Sequence, residues 1–420
     1  MSINGMMRTS ISGMAAQAVR LGTVAGNIAN ASTVGYKAAT TQFSSLLLDT
    51  PSTTFVSGGV ETQTQYGISR QGVLESSVSA FDLGITGSGF FLVNDAAGSV
   101  ALTRAGAFVP DGEGNLVNSA GYTLLGLPAS AGPADAIVSN GIAGLVPVRI
   151  DSNNMTAAPT AAGSLTVNLP ALAPSVATAN LPSANAATSV SSARSSIVVY
   201  GNLGEELTLD LHYARTVNPG EWEITVYDAA GRSALGGVPY AAGPLATSML
   251  QFDGFGRLTP ASATPLAIPV PGGATMLLDL ADTTQLATDF VVLSVNTDGN
   301  PAGVFSGIEI ARDGTIYETY ANGTRRAAYR VPLASVTSPD RLSGKAGNIF
   351  EATSGSGDIR IAAPETGGLG SIISGALENS TVDLASELTD MIEAQRTYTA
   401  NSRVFQTGAE LMEVLVNLKR

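Results

Sequence analysis

Apolar residues at Met7, Ile11, Met14, Ala18, Leu21, Ala25 and Ile28 recur in alternating steps of four and three. That spacing is the seam of a coiled coil and predicts one helix over residues 3–29. Gly13, Gly22 and Gly26 each weaken it by about 1 kcal/mol relative to alanine, so they read as places where another backbone approaches closely. Arg20 lies beside the seam and reads as a solvated charge. A second seam sits at the other end of the chain: Leu384, Leu388, Met391, Tyr398, Phe405, Met412 and Val416 also occupy heptad a and d positions. The two ends are therefore natural partners. The C-terminal helix is read as starting after Gly375, with Ser380-Thr-Val-Asp383 as a capping box and Gly408 as a local weak point. Asp383, Glu387, Asp390 and Glu393 near its start and Lys419 and Arg420 at its end suit the helix dipole.

Between the ends the pattern changes to period two. Residues 32–65 are rich in Thr, Ser, Gln and Gly, with Leu46-Leu-Leu48 as an apolar anchor and Pro51 as a break, and read as an extended connector. From Tyr66 to Val148 short apolar runs alternate with turn signals such as Asp111-Gly-Glu-Gly-Asn115, the grammar of hairpins. Residues 128–195 shift to Ala, Ser, Pro and Thr and read as loops at the edge of another domain. Then Leu207, Leu209, Leu211 and Tyr213 alternate, Asn218-Pro-Gly220 turns, and Trp222, Ile224 and Val226 alternate on the return. Trp222 is expected in the core of that domain, and His212, on the other strand face, is expected at the surface. Further strands are read at Leu250–Phe252, Met276–Leu278, Ile308–Ile310, Ile316–Tyr317, Arg326–Pro332 and Asn348–Phe350.

Composition narrows the chemistry. With 44% hydrophobic residues in 420, the chain has ample material for two or three cores. A net charge of -13 argues against a nucleic-acid face, which needs clustered Lys and Arg. There is no cysteine, hence no disulfide or thiolate metal site, and the single histidine excludes histidine clusters. A Ser/His/Asp triad would have to use His212, and no Gly-x-Ser-x-Gly elbow lies in a strand-to-helix context. A pair of carboxylates stays open, because separation in space is invisible in sequence. Asp111, Glu113 and Asn115 lack the remaining positions of a calcium loop. No catalytic residue, cofactor or metal is expected. No cleavable secretory signal and no apolar run long enough to span a bilayer are read in the chain.

Three ordered motifs carry a family likeness. Asn27-Ile-Ala-Asn30 with Thr33, Gly35-Tyr36-Lys37 and Phe43 resembles the N-terminal signature of bacterial flagellar rod and hook proteins. Gly375-Ala-Leu-Glu-Asn-Ser, Val382-Asp-Leu, Glu387-Leu, Met391-Ile and Gln395-Arg396-Thr-Tyr-Thr-Ala-Asn401 resemble the C-terminal one. Asp82–Val93, Thr103-Arg104, Gly106, Phe108 and Gly114–Val117 resemble the family's shared β domain. The likeness implies a mainly β chain with α-helical termini: the N- and C-terminal helices pair in a coiled-coil-like inner layer, and a discontinuous β domain carries an inserted β domain. The boundaries expected are 1–31 and 375–420 for the terminal helices, 32–65 for the connector, 66–148 and 297–374 for the first β domain, and 149–296 for the insertion.

The function implied is a structural subunit of the flagellar hook, self-assembling into a hollow helical tube that acts as a flexible universal joint between rod and filament. A distal rod protein, and behind it a secreted adhesin, are the other readings; the large insertion favours hook over rod. The partners implied are further copies of the chain, the rod, hook cap and hook-filament junction proteins, and the flagellar type III export apparatus, with no nucleic acid and no membrane insertion. The location implied is extracellular, in the flagellum, reached without a cleaved signal peptide.

Overall fold

The computed structural model describes residues 3–47, 57–129, 141–233, 237–262 and 264–418. The chain forms two compact units: unit 1 comprises Met1–Asp151, Ile308–Tyr317 and Ala327–Arg420, and unit 2 comprises Ser152–Gly307 and Glu318–Arg326. Among the described residues most regular structure is β, and the two α-helices lie towards the two ends of the chain.

In unit 1, helix α1 (Ile3–Ala29) packs against helix α2 (Leu384–Leu418). The stretch read as a connector is instead an antiparallel ribbon of β1 (Ala39–Leu47) and β2 (Ser57–Tyr66), in register from Ala39 opposite Tyr66. Its Thr and Gln side chains bond across and along it, as Gln42 does to Gln65 at 2.9 Å, which lets so polar a sequence form a ribbon. It is fastened to α1 where Ser12 Oγ both accepts from the Val60 amide at 2.7 Å and donates to its carbonyl at 2.9 Å. The Leu46-Leu-Leu48 side chains and Pro51 lie outside the described residues.

The β core of unit 1 is discontinuous in sequence. Phe90, Leu92, Leu102 and Leu125 pack with Ala334, Val336, Phe350 and Ile361. Strand Phe90–Asn94 pairs with both Val100–Thr103 and Leu333–Ser335, so early and late segments share one sheet. The Asp111–Asn115 loop is a hairpin turn in which Asp111 Oδ1 accepts the amides of Glu113 and Asn115 at 2.8 Å.

C-terminal to that core the chain does not enter a helix at Gly375. Ala376–Glu378 is a strand paired with Leu74–Ser76, and α2 begins at Leu384. The cap is Asp383 alone, whose Oδ1 accepts the Ala385 amide at 3.0 Å. Ser380 bonds the Val382 amide instead, so no capping box forms.

Unit 2 is a two-sheet sandwich. One sheet orders Ala193–Tyr200, Glu206–Arg215, Glu221–Asp228 and Ala246–Gln251, and the expected hairpin is there, with Leu211 opposite Val226 and Tyr213 opposite Ile224. The other has Ala162–Pro170 at its centre, inside the stretch read as loops. Leu165, Val167 and Leu169 from that strand meet Leu211, Trp222 and Ile224 in one fully buried core.

The opposite face of the first sheet corrects the reading of His212, which is 2% exposed. Its ring lies between Ser191 Oγ, 2.7 Å from Nδ1, and Tyr240 Oη, 2.9 Å from Nε2. Tyr240 in turn donates to Asp210 at 2.6 Å, which makes Nε2 the imidazole donor and Nδ1 the acceptor. Asp210 also accepts from Ser196 and from Nε and Nη2 along one edge of the Arg232 guanidinium. Burial pushes the Asp210 carboxyl up, but these hydrogen bonds outweigh it and hold the pKa at about 2.

The contribution of Asp210 to stability is therefore complete above its ordinary value of 3.8 and is lost as pH falls through about 2. Trp222, the only tryptophan and fully buried, reports on unit 2 by fluorescence. Asp210→Asn is expected to weaken unit 2 at neutral pH and to flatten its acid dependence across that window. Parallel acid transitions in the two chains would refute this account.

Candidate functional site

The three sequence motifs converge on one buried carboxylate. Glu378 is completely buried; its Oε1 accepts Lys37 Nζ at 2.6 Å and the Gly72 amide at 2.7 Å, and its Oε2 accepts Arg104 Nη1 at 3.0 Å. Lys37 also donates to the Arg70 carbonyl, and Arg104 Nη2 to the Gly87 carbonyl at 2.8 Å. Burial lowers the pKa of both cations and Glu378 opposes that shift. Two cations thus share a single carboxylate in a site without water access.

The backbone before Lys37 is fitted to the same place. The Gly35 amide donates to the Glu378 carbonyl at 2.7 Å, and Gly35 has φ +68°. A Cβ there would stand 2.6 Å from the Ala105 nitrogen, so only glycine permits the approach.

Asn27, 1% exposed, ties the end of α1 to its surroundings. Its amide donates to the Ala39 carbonyl and to Glu387 Oε1, both at 2.8 Å, and its Oδ1 accepts the Ala39 amide at 2.9 Å and Tyr36 Oη at 3.2 Å. Burial pushes the Glu387 carboxyl up and Asn27 partly offsets it. Asn30, half-buried, closes the helix by donating to the Gly26 carbonyl at 2.9 Å.

The helix pair runs antiparallel along a seam of small and polar residues. A Cβ on Gly408 would lie 3.0 Å from Met7, and one on Gly13 would lie 2.9 Å from Asn401 Nδ2. Arg20 bridges to Asp390 at 2.9 Å and Glu393 at 3.0 Å, and Asn27 reaches Glu387. Gly13, Arg20 and Asn27 recur every seven residues on α1, as Glu387, Ala394, Asn401 and Gly408 do on α2. Arg20 is therefore an interhelical ion-pairing residue and not a solvated charge, and Gly408 is a packing position and not a weak point. The absence of a side chain lets the axes approach at both glycines.

Of the apolar seams expected from the sequence, Met7 stands against Gly408 in the helix contact. Met7, Met14, Leu21 and Ile28 are half-buried, whereas Ile11, Ala18 and Ala25 are exposed. On α2, Met391, Phe405 and Met412 are half-buried, Leu384, Leu388 and Tyr398 are 48%, 46% and 42% exposed, and the Val416 side chain lies outside the described residues. Leu384, Leu388 and Ile392 form an exposed row at four-residue spacing. Gln395 and Arg396 are exposed beside it. A Cβ at Gly22 or Gly26 would meet nothing within 4 Å. Among the described residues no helix is long and apolar enough to cross a membrane.

Four family models match the chain: Flagella basal body rod protein over residues 7–37, Flagellar hook protein FlgE/F/G D1 domain over 84–170, Flagellar basal body protein FlaE D2 domain over 164–300, and Flagellar basal body rod FlgEFG protein C-terminal over 373–418. The chain is 46% identical over 421 residues to the flagellar hook protein FlgE of Brucella abortus, covering 100% of each. It is 44% identical over 431 residues to that of Rhizobium meliloti, again covering 100% of each, and 29% identical to that of Salmonella typhimurium, covering 98% of this chain and 99% of the relative. Among solved structures, the Helicobacter pylori flagellar hook protein FlgE2 matches in fold, with a TM-score of 0.51 at 15% identity over 73% of this chain and 100% of that one.

Proposed function

This chain belongs to the flagellar hook protein family, and from that premise we propose that its copies polymerise into a hollow helical tube that bends while passing torque from rod to filament. It is a structural subunit of the hook and a protein of the flagellum. The observation that carries the polymer reading is the exposed apolar row Leu384, Leu388 and Ile392 beside a helix pair already closed by its own polar seam. Burying one leucine stabilises a contact by about 1.5–3 kcal/mol, and such rows are rarely left in water on a chain that stays alone. Neighbouring copies are the partners that repeat identically at every subunit.

In this reading the paired terminal helices form the inner layer of the tube. The rod, the hook cap, the hook-filament junction proteins and the type III export apparatus are its proposed partners, and no catalytic step is assigned. A distal rod role is disfavoured because the full-length relatives reported above are named hook proteins. Electron microscopy of the purified chain under polymerising conditions is expected to show hollow tubes. Isolated particles at every protein and salt concentration would overturn the proposal.

A further inference from the structure

The outer face of the four-stranded sheet in unit 2 carries a cavity that the hook role leaves unused. Strand register sets Arg194 directly opposite His212 and Ser196 opposite Asp210, so the four side chains rise from one face. Arg232 and Tyr240 reach in from the segment that follows Asp228 and complete a cavity of about 370 Å³. Charge in it does not balance. Both Asp210 oxygens are taken by Arg232, Ser196 and Tyr240. Arg194 forms no ion pair or side-chain hydrogen bond with the described residues and stands as the surplus cation.

We propose that this cavity is a binding site for a small oxyanion, held between the Arg194 guanidinium and the outer edge of Arg232. The buried groups beneath serve as a rigid floor: His212, Tyr240 and Asp210 are linked in one hydrogen-bonded chain that fixes Arg232 before any ligand arrives. In a chain of net charge -13, a concave cationic spot on a preorganised floor is where an anion gains most. The chemistry suits inorganic sulfate or phosphate and equally the carboxylate of an acidic sugar.

The groups facing His212 predict how the site reports itself. Burial lowers the His212 pKa; Asp210 opposes that, and Arg194 and Arg232 reinforce it. Tyr227 and Tyr240 pack edge-on against the ring. An anion seated on the two guanidiniums cancels their effect and raises the imidazole pKa. His212 is the only histidine, so its ring signals in the NMR spectrum of the full chain are read without assignment.

Sulfate is the first probe, because its charge is constant over the histidine range, and chloride at equal ionic strength is the reference. The expected result is a saturable rise of the His212 pKa by about half a unit or more in sulfate. Arg194→Gln, an exposed position, should abolish the rise while Trp222 fluorescence shows unit 2 still folded. Glucuronate is the second arm, and a saturable rise there as well would extend the site to sugar acids. Equal titrations in chloride, sulfate and glucuronate, or the same rise in Arg194→Gln, would overturn the proposal.

Discussion

Glu378→Gln is expected to destabilise unit 1 by about 3–5 kcal/mol, the cost of stranding buried charge when one partner of a pair is removed. The glutamine keeps the shape and an acceptor, so the loss is almost wholly electrostatic. Lys37 and Arg104, each under 5% exposed, would then share a neutral amide. Lys37→Met should cost less, because it leaves Glu378 and Arg104 as a balanced pair. That ranking separates an ionic clamp from mere packing. Since a domain is stable by only about 5–15 kcal/mol, the glutamine variant should unfold unit 1 at markedly lower denaturant. Circular dichroism of the helices follows unit 1, and Trp222 fluorescence follows unit 2 in the same sample. Equal losses for the two substitutions, or no loss for Glu378→Gln, would show that the network is not what holds the ends of the chain.

Leu388→Asp is expected to abolish tube formation while leaving the protomer intact. In the protomer Leu388 is 46% exposed, so a carboxylate there is solvated. In a polymer that covers the row, the same carboxylate is buried without a partner and adds several kcal/mol to the lost leucine burial of about 1.5–3 kcal/mol. Even the smaller figure shifts each addition step more than about tenfold. Ala400→Asp, on an exposed position of the same helix about a third of a turn from the row, is the matched control. Arg20→Asp would not serve, because Arg20 is paired to Asp390 and Glu393 and its loss would disturb the helix pair itself. Sedimentation of the two variants under polymerising conditions reads the outcome. Pellets of equal size would mean that the exposed row is not an assembly contact.

The terminal helices were legible because a three-four repeat of apolar residues survives in Met7 to Ile28 and Leu384 to Met412. Their pairing was legible too, but not the face they use. Gly13, Arg20, Asn27, Asn401 and Gly408 have no hydropathy in common, so a search for apolar periodicity passes over a seam made of absent side chains and hydrogen bonds. The seven-residue spacing of Gly13, Arg20 and Asn27 was the available signal.

In unit 2 the Leu209 to Val226 hairpin announced itself by alternation. Leu165, Val167 and Leu169 alternate just as clearly, yet the Ala, Ser and Pro around them dominate the local composition and hide a central strand. His212 is buried against expectation because a position on the outer face of a strand does not say what covers that face, and here the Tyr240 side chain and Ser191 meet its ring. Glu378 stood inside a recognised motif, but its partnership with Lys37 spans 341 residues, and no local pattern encodes a contact of that reach.

That separation also sets a clock. A ribosome adding about 5–20 residues per second delivers Glu378 roughly 17–70 s after Lys37. Throughout that interval the leading segment has neither its carboxylate nor α2, and before the interval ends all of the 152–307 stretch has been synthesised and its sandwich can close. The sandwich can therefore close before the two ends of the chain meet. Until then Met7, which stands against Gly408 of α2 in the folded chain, has no partner helix beside it.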